Sequence, residues 1–141
     1  MDLKTIFRQI PDFPKPGINF IDITPLLLNP AAFRWTIDTL AAPYQGKKVD
    51  KVISIESRGF LFGAPLALAL DAGLVIVRQP KKLPYSTYSH TYQLEYGQDS
   101  IEIHQDAIES GDRVVVLDDL LATGGTVTAA LALLKNFTCT V

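Results

Sequence analysis

The chain has 141 residues, 48% hydrophobic and 20% charged, and 13 Lys and Arg against 15 Asp and Glu give a formal charge of −2. That composition describes one soluble globule able to bury a core and carries no basic footprint for nucleic acid. The single cysteine, Cys139, excludes an internal disulfide framework and suits a reducing, cytoplasmic compartment. No run approaches the roughly 18 apolar residues of a membrane helix, and Met1-Asp2-Leu3-Lys4 lacks the start of a secretory signal.

Leu3 to Gln9 forms a short amphipathic stretch, followed by a segment punctuated by Pro11, Pro14 and Pro16-Gly17. Ile18 to Ile23 is extended and ends at Thr24-Pro25. Asn29 and Pro30 supply a helix cap and a first helical residue. Phe33, Ile37 and Leu40 then fall on one face of a helix over Pro30–Ala42, which Pro43 stops. Val52–Ile55, an apolar helix from Phe60 to Leu70, and Leu74–Val77 make a βαβ unit. Strands this continuously apolar belong to a parallel sheet flanked by helices, an α/β fold. Arg78 to Gln93 is polar and rich in tyrosine, a connection long enough to be functional. A hairpin follows, Thr91–Glu95 against Ser100–His104 around Tyr96 to Asp99. Ser110-Gly111-Asp112 is a turn, and Val114–Leu117 is a third buried strand. After the loop Asp118–Gly125, a helix over about Thr126–Asn136 has Val127, Ala130, Leu131 and Leu134 on its inner face. Thr138 to Val141 begins a further extended piece.

In parallel sheets, ligands gather at the carboxyl ends of the strands. Two strand ends here carry polar loops with glycine, Glu56-Ser57-Arg58-Gly59 and Asp118 to Thr126. The second brings two adjacent carboxylates to a strand end and then enters a helix through Ala122-Thr123-Gly124-Gly125-Thr126. Small residues let backbone N–H groups approach an anion, and the helix start adds donors and positive partial charge. Thr123 and Thr126 add hydroxyls, and the acceptor-only carboxylates of Asp118 and Asp119 suit sugar hydroxyls. Together these describe a site for a ribose phosphate. Thr-Gly-Gly-Thr by itself is equally a helix-capping turn. Taken singly, Arg58 suits a surface ion pair, Phe20 a core aromatic and Glu95 a hairpin-surface carboxylate.

With its flanking strand and helix, the segment Val114 to Thr126 resembles the phosphoribosyl-pyrophosphate (PRPP) motif of the type I phosphoribosyltransferases. Further stretches, in the same order, are similar to the adenine-specific branch of that family. They are Pro11 to Ile18, Phe20 with Asp22 to Leu27, Glu56 to Gly63, Lys82-Leu83-Pro84 and Leu94-Glu95-Tyr96-Gly97. The resemblance runs from about Ile10 to Lys135. It implies a type I phosphoribosyltransferase fold in one domain over 1–141, with a small hood drawn partly from about residues 1–28. It also implies transfer of the phosphoribosyl group of PRPP, bound with Mg²⁺, to adenine, giving AMP and pyrophosphate. The alternatives are another purine base, a regulator that binds PRPP or a nucleotide without catalysis, or an inactive truncated form.

The resemblance also distributes roles. Asp118, Asp119 and Ala122, Thr123, Gly124, Gly125 and Thr126 hold the ribose and its 5-phosphate, with no metal ligand among the side chains. Ser57, Arg58, Arg78 and Lys82 hold pyrophosphate, with a cis peptide between Glu56 and Ser57. Gln79 stands where many relatives carry Lys, leaving Lys81 or Lys82 to supply that charge. Asn19, Phe20 and Ile21 hold adenine, with Phe20 as an aromatic lid, and Glu95 is the acid–base residue. A homodimer is implied, with neither nucleic acid nor membrane as partner. Relatives continue with another strand and more of the hood. The resemblance therefore implies a shortened, less stable chain in which Leu131 and Leu134 lack part of their packing, unless Thr138 to Val141 closes the sheet.

Overall fold

The structure is a computed structural model that describes residues 1–94 and 96–141. The chain divides into two units, Met1–Pro43 and Tyr44–Val141.

In the first unit a 3₁₀ turn over Leu3–Thr5 leads into β1 (Arg8–Ile10), which pairs antiparallel with β2 (Phe20–Asp22) in the register Gln9 opposite Ile21. The amphipathic stretch expected over Leu3 to Gln9 is thus a turn and a strand, because seven residues are too few for a helix to hold alone. The proline-rich connection is tied by Asp12, which accepts the Gly17 N–H at 2.8 Å, and by the Phe13 N–H on the Ile18 carbonyl at 3.1 Å. The Phe13–Pro14 bond is cis. Asp22 closes the strand by accepting the Thr24 N–H and hydroxyl, both at 2.9 Å. Those bonds seat a short helix, α1 (Thr24–Leu28), where the sequence showed only a stop. Asn29 caps α2 (Pro30–Ala41) as expected, accepting the Ala31 and Ala32 N–H groups at 3.1 Å. The buried face of α2 is Ala32, Ile37 and Ala41, and Leu40 is exposed.

The second unit is built on three parallel strands in the order β4 (Gly73–Val77), β3 (Lys51–Ile55), β7 (Val114–Leu117). Their register sets Ile55 opposite Val77 and Ser54 opposite Leu117. Helix α3 (Gly59–Ala69) crosses from β3 to β4 and packs on all three strands. Its approach is close at Gly63, where a Cβ would lie 2.2 Å from the Ser54 hydroxyl and 2.5 Å from the Ser54 Cβ.

The hairpin is longer than its pattern suggested, β5 (Thr87–Gln93) against β6 (Gln98–His104), with Tyr92 opposite Asp99. Alternation along β6 buries Ile101 and Ile103. Two backbone bonds between Arg78 and Glu102, of 3.0 and 2.7 Å, fasten the hairpin to the end of β4. Helix α4 (Gly125–Leu134) buries Ala129, Ala130, Leu133 and Leu134. Leu131 is 39% exposed and Leu134 only 4%, so of the two leucines expected to be short of packing, Leu134 is fully packed. The segment after α4 returns beside β7, with the Val114 N–H on the Thr140 carbonyl at 2.8 Å and the Thr140 N–H on the Asp112 carbonyl at 2.9 Å.

Gly63→Ala forces α3 off a buried strand and is expected to cost about 1–3 kcal/mol by overpacking. Urea denaturation measures it, and an unchanged midpoint would show that α3 is free to shift.

Candidate active site

The three parallel strands end at one level, and the residues that follow them share a cavity of about 520 Å³ within the Tyr44–Val141 unit. After β3 come Glu56, Ser57 and Arg58, and after β4 come Gln79 and Lys82. After β7 come Asp118, Asp119, Leu120, Ala122 and Thr126, while the hairpin contributes Tyr92, Asp99 and Ile101. Most of the residues singled out on these loops therefore meet. Arg78, Thr123, Gly124 and Gly125 do not line the cavity, although they belong to its loops.

The wall after β7 is made by Asp118 and Asp119. The Asp119 N–H donates to Asp118 Oδ1 at 2.8 Å, and the Asp119 carboxylate pairs with Arg58 Nε at 2.9 Å. Burial lifts the Asp118 carboxyl to about 6, and the neighbouring Asp119 carboxylate adds to the rise. Gly59 starts α3 against this wall, where a Cβ would stand 3.2 Å from Asp118 Oδ1. The loop then turns through Ala122 at φ 45° and Gly124 at φ 82° before α4 begins. Left-handed backbone of this kind favours glycine at 124 and strains the alanine. The first turn of α4 presents N–H groups that a helix cannot satisfy internally. The Thr126 hydroxyl lies 3.4 Å from the Tyr92 hydroxyl, which donates to Asp99 at 3.3 Å.

The opposite wall is organised by Glu56. Its carboxylate accepts Arg78 Nε at 3.2 Å and a second guanidinium nitrogen at 3.3 Å, the Gln79 N–H at 2.9 Å, and the Lys82 ammonium. Burial alone would raise the Glu56 carboxyl, but the bonds from Lys82, the Gln79 N–H and Arg78 outweigh it and hold the pKa at about 2. The peptide between Glu56 and Ser57 is cis, as the resemblance implied. The Lys81 main-chain N–H lies 3.4 Å from a Glu102 carboxylate oxygen, and of the two lysines it is Lys82 that lines the cavity.

The residues assigned to adenine lie in the Met1–Pro43 unit. Phe20 opens β2 and meets Phe13 edge-to-face at 5.2 Å, the Asn19 amide donates to Gln9 at 3.3 Å, and the Ile21 side chain is exposed. Glu95 lies outside the described residues.

Sequence reasoning passed over Glu56, Tyr92 and Asp99 as site residues. Glu56 had a signal, a carboxylate at a strand end beside an arginine. Tyr92 and Asp99 became partners only through the hairpin register. Among the described residues, no group of three or more His, Cys, Asp or Glu side chains is placed to hold a metal ion.

A family model for the phosphoribosyl transferase domain matches residues 27–141. The chain is 57% identical over 140 residues to the adenine phosphoribosyltransferase of Acaryochloris marina, which covers 99% of this chain and 82% of that protein. Its fold is similar to the adenine phosphoribosyltransferase of Thermoanaerobacter pseudethanolicus, with a TM-score of 0.93, 53% identity, and coverage of 99% of this chain and 81% of that one. It is also similar to the Saccharomyces cerevisiae enzyme complexed with an imino-altritol bisphosphate and adenine, with a TM-score of 0.92, 42% identity, and coverage of 99% and 81%.

The Glu56 cluster carries a pH signature. Glu56 ordinarily titrates near 4.5 and in the fold near 2, so between those values the native state binds fewer protons than the unfolded one. The stability it contributes is present above about 4.5 and lost as pH falls toward 2. Glu56→Gln should flatten the acid loss of unfolding midpoint in that window, measured by urea titration at stepped pH. An acid profile identical to wild type would show that these bonds do not depend on the carboxylate charge.

Proposed function

The chain belongs to the phosphoribosyltransferase family, as an adenine phosphoribosyltransferase, and from that premise we propose how its residues divide the work of converting adenine and PRPP into AMP and pyrophosphate. The observation that carries the assignment is one cavity with different chemistry on its two sides. A carboxylate pair and the start of α4 stand after β7, and Arg58 and Lys82 stand after β3 and β4.

The loop Ala122–Thr126 takes the 5-phosphate through backbone N–H groups and the Thr123 and Thr126 hydroxyls. Asp118 and Asp119 accept from the ribose hydroxyls. Ser57, Arg58 and Lys82 receive pyrophosphate, and Arg78 supports them through Glu56. In the reaction a purine ring nitrogen attacks the anomeric carbon, the bond from that carbon to the pyrophosphate oxygen breaks, and its electron pair leaves with pyrophosphate. The protein fixes both ends of the sugar so that attack is in line, and it stabilises the charge that develops on the departing group. Mg²⁺ enters as part of the substrate, carried on PRPP. Asn19, Phe20 and Ile21 bind adenine, by stacking on Phe20 and through the backbone on either side of it. Glu95 manages the proton on the purine ring. A homodimer and a cytoplasmic location belong to the same proposal. Exposed Leu61 and Leu68, one above the other on α3, support the first, and the free Cys139 supports the second.

Mixing the purified chain with PRPP, Mg²⁺ and adenine, hypoxanthine or guanine in turn tests the function. AMP from adenine, with little product from the other two, is the expected result, and no nucleotide from any base would overturn the assignment. Glu95→Gln should lower turnover by about 10²–10⁴-fold, the usual worth of general acid–base help, while leaving AMP affinity near wild type. Single-turnover kinetics beside equilibrium binding separates the two effects.

A further inference from the structure

Among the described residues, the cavity is lined by four carboxylates, Glu56, Asp99, Asp118 and Asp119, against two cations, Arg58 and Lys82. A polyanion can bind there only if the cations become available to it. Arg58 is already paired with Asp119 at 2.9 Å, and Lys82 is occupied in the same way. It lines the cavity, yet its ammonium is bonded to Glu56. Glu56 treats its partners unequally. Arg78 grips both carboxylate oxygens and is further held by the Lys82 carbonyl at 3.5 Å, and the Gln79 N–H is part of the main chain. Lys82 offers a single ammonium on a flexible four-carbon stem, and its side chain is 40% exposed. If Lys82 swings away, Glu56 still accepts a two-point guanidinium and a backbone N–H, so its charge stays satisfied.

We propose that Glu56 is a positioning residue on the pyrophosphate side, an internal counter-anion that keeps Arg78 and the Gln79 N–H and exchanges Lys82 for the incoming polyanion. This rests on the reading of that wall as the pyrophosphate site. The exchange makes binding of a pyrophosphoryl group weaker than the cations alone would allow. It also gives Lys82 a partner to return to when pyrophosphate leaves, which favours release of product.

The test compares PRPP with ribose 5-phosphate, which lacks the pyrophosphoryl group, by calorimetry in the presence of Mg²⁺. Glu56→Gln should tighten PRPP by about tenfold, as expected for removing a competing, partly desolvated charge partner, and leave ribose 5-phosphate within about twofold. In a Lys82→Met background the same substitution should change PRPP affinity by less than about twofold. Steady-state kinetics should show KM for PRPP and kcat falling together, because pyrophosphate leaves more slowly. Unchanged or weaker PRPP binding, or an equal shift for ribose 5-phosphate, overturns the exchange while leaving the phosphoribosyltransferase reading intact. If the wild-type chain binds neither ligand, that reading and this inference fall together. A second measurement needs no variant. In a crystal structure of the wild-type protein with PRPP, Lys82 should have left Glu56 for the pyrophosphoryl oxygens with Arg78 still in place, and a retained Lys82–Glu56 bond refutes the exchange.

Discussion

The parallel register of β3 between β4 and β7 brings three strands to an end at the same level, with Ile55 opposite Val77 and Ser54 opposite Leu117. The loops that follow these strands inherit their positions from that alignment. Glu56 follows Ile55, Arg78 follows Val77 and Asp118 follows Leu117, so three charged residues far apart in the chain emerge side by side. A hydrogen-bonded ladder is stiff, and a slip of one residue would turn every side chain of a strand to the other face. The apolar side chains of β3 and β4 prevent that slip, since Val52, Ile53, Ile55 and Val77 are all essentially buried.

Close packing of α3 carries the alignment outward. Gly63 lets the helix axis approach Ser54, and Gly59 lets its first turn begin beside Asp118. The contact at Gly63 excludes a Cβ and the one at Gly59 leaves little room for it, so the helix is located by the absence of side chains at two points and by the burial of Phe62 and Leu66. Pro65 lies within the helix and withholds one backbone N–H, a cost borne by a helix whose stability comes mainly from tertiary burial. The hairpin is fastened to the same frame by the Arg78–Glu102 bridge, which places Tyr92 and Asp99 over the start of α4.

The electrostatics of the cavity follow from this crowding. Asp118 and Asp119 are adjacent in sequence and share one wall, and burial raises the affinity of Asp118 for a proton. Glu56 is also largely shielded from solvent, yet its partners more than repay its burial and its affinity for a proton falls. Two carboxylates on neighbouring strand ends thus differ in direction of shift because burial is outweighed by cations in direct contact at Glu56, whereas at Asp118 burial prevails and a second carboxylate adds to it. Such a divided environment suits a ligand with a sugar at one end and a highly charged leaving group at the other.

Apolar strands, the Asn29 cap and the Pro30 helix, the Gly-Gly turn before α4 and the order of family motifs were all legible in the sequence, because each depends on residues adjacent in the chain or on a local period. The parallel α/β architecture and the membership of the phosphoribosyltransferases followed from them. Other features depended on contacts between distant residues. Leu40 and Leu131 proved to lie off the buried faces, and the hairpin extended back to Thr87 once β6 was there to pair with it. The site divided in the same way. Asp118, Asp119, Ser57 and Arg58 could be named from strand ends and motifs, whereas the hold of Glu56 on Arg78, Gln79 and Lys82 spans 22 to 26 residues. No periodicity reports such a contact. It exists only because a parallel sheet sets the ends of β3 and β4 next to each other, and the pairing of buried charge across that boundary is a property of the folded sheet rather than of any one segment.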